Sequence, residues 1–214
     1  MSLLECLIGM SLSIGVIAPV LQSGSHLLIQ QTKLEQAWLA EQDAARVLEI
    51  MSRAIRMAGY REIASLADYR LAINHTKAPY SSPYLGLEHR RGWNHSDLLW
   101  VKHEPAGLLD SDCMGNTVSA SQPVARTQGG LRHQRFFVQS VPGQKDGLLM
   151  CAALDRQGRL HHTSLMQHIE SLRFERSHHA SDEATPGIWI HLRTSTPHMP
   201  AREFSRFVAF RNHP

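Results

Sequence analysis

The stretch MSLLECLIGMSLSIGVIAPVLQSGSHLLIQ, residues 1–30, decides how the rest of the chain is read. Its one formal charge is Glu5, and the next charge along the chain is Lys33. From Cys6 to Ile29 no Asp, Glu, Lys or Arg interrupts the run. As helix, that run is about 36 Å long at ~1.5 Å per residue, enough to cross a bilayer core. Gln22, His26 and several Ser near its end mark an approach to a boundary. Residues 1–29 therefore read as an apolar, membrane-spanning first half of a helix, and the remainder as cargo.

The segment differs from a secretory signal, which has a basic start and a small-residue cleavage site. No Lys or Arg precedes the apolar run, and an acid sits five residues in. A carboxylate in an apolar helix needs a partner. The nearest is the amine of Met1, about one helical turn away. Two readings follow: an anchor with an acid at the interface, or a helix that packs on copies of itself with Glu5 setting the register. Gly15 costs about 1 kcal/mol relative to Ala. Pro19 removes the hydrogen bond to residue 15. A bend is expected between Gly15 and Pro19.

Moving outward, residues 30–59 continue the helix. QQTKLEQAWLAEQDAARVLEIMSRAIRMA contains no Gly or Pro. Leu34, Trp38, Ala45, Leu48 and Ile55 share one side by helical spacing. Glu49 and Arg53 are placed for an i,i+4 pair, and Gly59 suits the position that ends a helix. A helix from near Met1 to Ala58, ~85 Å long, exceeds any domain of ~150 residues, so its first half is expected to project.

Residues 60–214 read as a globular domain. The part up to residue 97 is poorly patterned and turn-rich, with Pro79, Pro83, Gly86 and Gly92. Beyond it come short apolar or alternating runs: LLWV at 98–101, RFFVQS at 135–140, GLLMCAAL at 147–154, IESLRFER at 169–176, GIWIHLRT at 187–194 and finally EFSRFVAFRN. Ile188, Ile190 and Leu192 are in phase, with Trp189 and His191 on the other face. The expected fold class is α+β, a long N-terminal helix packed against a mainly antiparallel sheet.

MSLLECLIGMSLS resembles the mature N-terminus of type IV pilin-like proteins, with Glu5 at the matching position and Met1 where Phe is common. MSRAIRMAGYRE, with Arg53, Arg56, Ala58, Gly59 and Tyr60, resembles minor pilins of the PilW and prepilin-peptidase-dependent protein B type. The order of DCMG, RFFV, GLLMC, IESLRFE and the last two strands is similar to that group. The resemblance implies a pilin-like fold and a non-enzymatic subunit that helps prime pilus assembly. It implies inner-membrane insertion with a periplasmic domain, followed by transfer to a pilus base or tip. The implied partners are other minor pilins, the major pilin, the inner-membrane assembly platform and prepilin peptidase, for which the chain is a substrate. Glu5 and Met1 are the implied assembly residues. A J-type pseudopilin of type II secretion, a DNA-binding pilus subunit and a membrane-anchored periplasmic enzyme stand as alternatives.

In that presumed periplasmic setting Cys113 and Cys151 are expected to pair, with two buried thiols as the other reading. A closed loop of roughly 39 residues would contribute ~3 to 4 kcal/mol in the chain-entropy model. Cys6 has no obvious partner. The 14 His are scattered, and no HExxH or other ligand spacing occurs, so no metal is expected. GxGxxG, P-loop, GxSxG and paired-acid signatures are also missing, which leaves no candidate catalytic residue and no cofactor. With 22 basic and 19 acidic residues the net charge of +3 does not by itself imply nucleic acid, and the arginines are dispersed.

Overall fold

The computed structural model describes residues 3–60, 84–106, 110–117, 131–154, 159–177, 186–195 and 200–211. The chain divides into two compact units, Met1–Gln42 and Asp43–Pro214. Helix α1, Leu3–Met57, contributes to both. The first unit is helical through its described residues, including Gly15 and Pro19. Within it the Thr32 hydroxyl donates to the Ile29 carbonyl at 2.9 Å.

The membrane-spanning expectation for residues 1–29 is corrected here. Among the described residues no helix is long and apolar enough to cross a membrane. The physical reason lies in what interrupts the run. Absence of charge is not the same as apolarity, and Gly9, Gly15, Gln22, Ser23, Gly24, Ser25 and His26 dilute it. The fold class is α+β, a long helix with an antiparallel sheet, without a membrane-crossing half.

In the second unit seven strands follow the helix: β1 Leu85–Glu88, β2 Leu98–His103, β3 Arg132–Ser140, β4 Gly147–Leu154, β5 Leu160–Arg176, β6 Gly187–Thr194 and β7 Arg202–Ala209. They form one sheet in plain sequence order, and every neighbouring pair is antiparallel. β4 and β6 coincide with the runs read from sequence. β5 is longer, because it starts in the polar LHHTS stretch. β1 lies inside the turn-rich segment, and Gly86 there stands opposite Trp100. A Cβ at Gly86 would collide with the Trp100 indole, so the strand pairing needs glycine.

One helical face is buried: Ala44, Val47, Leu48, Met51, Ala54, Ile55 and Ala58. Their 3 and 4 spacing is the α-helical core stripe. They join Leu99, Val101, Phe136, Val138, Leu149, Ile169, Ile190 and Leu192 in one core. Of the stripe expected from sequence, Leu48 and Ile55 are buried, whereas Leu34, Trp38 and Ala45 are exposed. Small Ala44 and Ala54 let the helix approach the sheet, a role that hydrophobicity alone does not signal.

The helix end is tied to β2. Gly59 adopts φ 74°, and its N–H donates to the Lys102 carbonyl at 3.1 Å. The Glu104 N–H donates to the Tyr60 carbonyl at 2.9 Å. This is the glycine stop anticipated at that position. Glu49 pairs with Arg56 at 3.0 Å and with Arg206 of β7 at 2.6 Å. Arg53, expected beside Glu49, instead reaches Asp110 at 3.2 Å.

Candidate functional site

The second unit carries a polar cleft whose wall is built by an unusual edge. The first half of β5 pairs with β4 as far as Ile169, and the second half pairs with β6. Beyond β4, one edge of β5 has no strand beside it among the described residues. The connection between β1 and β2, Arg90 to Asp97, supplies the missing hydrogen bonds. Asn94 Nδ2 donates to the Glu170 carbonyl at 2.8 Å. The Leu172 N–H donates to Ser96 Oγ at 3.2 Å, and the Asp97 N–H donates to the Leu172 carbonyl at 2.7 Å. The Phe174 N–H donates to Asp97 Oδ2 at 2.8 Å. Glu170, Leu172 and Phe174 are alternate residues, so their backbone groups point to the same edge. Three short polar side chains thus imitate a strand and satisfy a buried edge.

Asp97 also accepts the Arg90 N–H at 2.9 Å and contacts His89 Nδ1 at 3.2 Å. Ser96 and Asp97 are buried. The turn they hold contains Arg90, Asn94 and His95 at φ 51–56°, the left-handed region. Asn tolerates this region best of the three, and the hydrogen bond from the Arg90 N–H to Asp97 holds Arg90 there. The matching irregularity in β5 is His168 at φ 59°, next to a register shift between Ile169 and Ser171. His168 Nδ1 lies 3.1 Å from Asp146 Oδ2.

This turn and the outward faces of β5, β6 and β7 enclose a cleft of about 890 Å³. Its cations are Arg90, Arg173 and Arg193, and its carboxylates are Asp97, Glu170, Glu175 and Glu203. Imidazoles of His89, His95 and His191 complete the polar lining. Arg193 Nε pairs with Glu170 Oε2 at 3.0 Å, and His191 Nδ1 lies 3.2 Å from Glu203 Oε1. The cleft can present donors and acceptors in close alternation, with little net field.

A second polar cluster is internal. His103 and Asp110, 1% and 5% exposed, face Arg53 of the helix. A small cavity of about 70 Å³ adjoins them. His103 Nε2 sits 3.4 Å from Asp110 Oδ2, an ionic contact longer than a well-formed hydrogen bond. Neither ring nitrogen of His103 has a hydrogen-bond partner among the described residues. Asp110 also accepts the Ala106 N–H at 3.3 Å. Burial opposes the Asp110 charge, but His103 and the Ala106 amide outweigh it, so the carboxyl sits below its usual range. Burial first, then nearby Lys102, lowers the pKa of His133. Among the described residues no group of His, Cys, Asp and Glu is arranged to hold a metal ion.

Cys113 and Cys151 lie together as a disulfide with Cα–Cα 6.3 Å. The bond joins the short Ser111–Thr117 bridge to β4, and the Cys113 N–H donates to Gln134 Oε1 at 3.0 Å. Met1 and the Glu5 side chain lie outside the described residues. Gly15 and Pro19 fall within α1. The cleft residues carry no sequence signature because they come from four separated segments.

The first unit has a different character. Its helix exposes Leu7, Leu12, Ile17, Leu27, Leu34 and Trp38, among others. With Ile8, Met10, Leu28, Ile29 and Leu39 included, at 100° per residue the exposed apolar side chains are distributed around the helix rather than confined to one stripe. No family model matches this chain, and no curated protein or solved structure matches it either.

The identity implied by resemblance is therefore corrected. Membrane anchoring is central to a minor pilin or pseudopilin, and no described helix meets it. The pilus and secretion readings, the DNA-binding pilus subunit and the anchored periplasmic enzyme all depended on that anchor and fall with it. The prepilin and transmembrane assignments go too, as does single-pass placement in an inner membrane. What stands is an α+β domain with a long N-terminal helix.

Proposed function

We propose that this chain is an interaction subunit rather than an enzyme, and that it self-associates through residues 3–42 of α1. One observation carries the reading. Large apolar side chains are exposed on several faces of this helix, with Leu12 at 65%, Leu28 at 64% and Ile29 at 52%. The same helix also carries polar residues such as Lys33, Glu35 and Glu41, so its apolar side chains form patches on several faces rather than a continuous apolar surface. Exposed apolar surface of this extent marks an association site. A single partner helix covers only one face. Covering patches on several faces takes more than one, so the occupant is a bundle of helices from further copies of this chain. Burying each Leu or Ile contributes about 1.5–3 kcal/mol against about 4–15 kcal/mol of freedom lost on association, so several must be buried together.

Sedimentation velocity on the full chain tests this directly. Oligomers of three or more copies are expected, dissociating when Leu27, Leu34 and Trp38 are all changed to Gln. A wild-type chain that sediments as a monomer at micromolar concentration refutes the reading. So does an oligomer unaffected by the triple change. Association only with a helix of another protein would replace this chain as its own partner.

A further inference from the structure

The sheet places two aromatic rings in solvent beside the polar cleft. Trp189 of β6 and Phe207 of β7 are direct cross-strand partners, 40% and 37% exposed. Their ring centroids are 5.4 Å apart. Ile188 and Ile190, the flanking residues on β6, are fully buried, so strand alternation commits Trp189 to the outer face. His191 is next on that face. Its ring lies 24° from the indole plane at 6.2 Å and also lines the cleft. Gly187, the preceding outward position, leaves room for the Phe207 ring: an added Cβ would stand 2.5 Å from Phe207 Cζ. Phe207, tilted 51° from the indole, Trp189 and His191 thus make a cluster of rings that runs up to the cleft.

Some of the polar groups beside these rings are paired. Arg173 stands opposite His191 on β5, and Arg193 stands opposite Glu203 on β7. His191 is flanked by Glu203 at 3.2 Å and Glu175 at 3.9 Å. Arg193 is fixed by Glu170 at 3.0 Å. Three cations and four carboxylates line the cleft, so their charges nearly cancel. A polyanion such as single-stranded nucleic acid needs a positive groove beside its stacking rings. An apolar peptide needs apolar walls. Exposed aromatic side chains next to charge-balanced donors and acceptors suit a ligand with C–H faces and many hydroxyls. The cleft volume is within the range of small-ligand sites.

We propose that this face is a binding site for a neutral oligosaccharide. One sugar ring stacks on Trp189, with the tilted Phe207 ring at its side. The hydroxyls of the next ring enter the cleft, donating to Glu203 and Glu175 and accepting from Arg173 and Arg193.

Isothermal titration of the full chain with cellohexaose, maltohexaose and chitohexaose, and separately with a twenty-residue oligothymidine, tests the proposal. Saturable binding of at least one of the three sugars is expected, with little salt dependence. Trp189→Ala should weaken it about tenfold or more, the loss of one stacked ring. Arg173→Ala, a change on an exposed position, should weaken it as well and guards against a folding defect in the tryptophan variant. The proposal is overturned if none of the three sugars binds at millimolar concentration. It is also overturned if both variants bind like wild type, or if only the oligothymidine binds and does so with a steep loss in salt.

Discussion

Replacing Asp97 by Ala is the most incisive single change to the cleft. Asp97 is 5% exposed and holds two backbone amides, Phe174 N–H at 2.8 Å and Arg90 N–H at 2.9 Å. Hydrogen bonds to a charged acceptor contribute about 1.5–3 kcal/mol each. The Phe174 amide belongs to a buried residue on an edge that no strand covers among the described residues, so truncation removes its protein acceptor. The Arg90 amide belongs to an exposed residue and regains water, so it contributes at the low end. The expected loss is about 3–4 kcal/mol of unfolding free energy for Asp97→Ala. Asp97→Asn keeps one acceptor oxygen and should lose about half of that, roughly 2 kcal/mol. The effect is local as well as global. Amide exchange at Phe174 and Arg90 should accelerate far more than exchange in β3 or β4. Urea unfolding followed by circular dichroism gives the free energy, and hydrogen exchange read by NMR gives the locality. An Asp97→Ala protein within about 0.5 kcal/mol of wild type, with Phe174 exchange unchanged, refutes the claim that this connection substitutes for a strand.

Further outcomes follow from the rest of the second unit. Asp110 has a lowered pKa in the folded chain, so its stabilising contribution is complete above the ordinary carboxylate range and disappears as pH falls through the lowered value. Asp110→Asn should therefore remove stability at pH 7 and flatten acid unfolding; identical acid-unfolding curves would contradict this. His133 is also lowered, so the unfolded chain takes up its proton first. Its contribution is present above the ordinary imidazole value and erodes as pH falls below it, and His133→Gln should reduce that erosion in melts compared at pH 7 and pH 5.5. Cys113→Ser should lower the melting temperature of the oxidised protein, consistent with about 3–4 kcal/mol for a loop of this length; an unchanged melt with and without reductant would speak against the bond. Gly187→Ala places a Cβ 2.6 Å from the Val208 carbonyl oxygen, so it should cost about 1–3 kcal/mol and shift the Phe207 ring, visible in its NMR side-chain resonances.

The same chain shows where local pattern suffices and where it fails. β4 and β6 were legible because a compact apolar run and a clean alternation depend only on neighbours in sequence. Gly59 was legible for the same reason, since a positive φ at a helix end favours one residue type. The stripe of α1 was misplaced because Leu34 and Trp38 outrank Ala44 and Ala54 in hydrophobicity, while contact with a sheet rewards small size. Glu49 and Arg53 had the right spacing for each other, yet Asp110 and Arg206, distant in sequence, took them.

Sequence by itself determined the α+β class, the long N-terminal helix with its stop at Gly59, and the alternation that turns Trp189 and His191 away from Ile188 and Ile190. Tertiary structure alone decided that Asn94, Ser96 and Asp97 complete the edge of β5, and that the cleft beside them gathers balanced charges. It also overruled the membrane-crossing reading of the apolar start. The physical reason is range. Helix stops and strand faces arise from steric and solvation preferences within a few residues. Edges, clefts and ion pairs depend on which distant segments arrive side by side, and many sequences with the same local pattern bring different ones together.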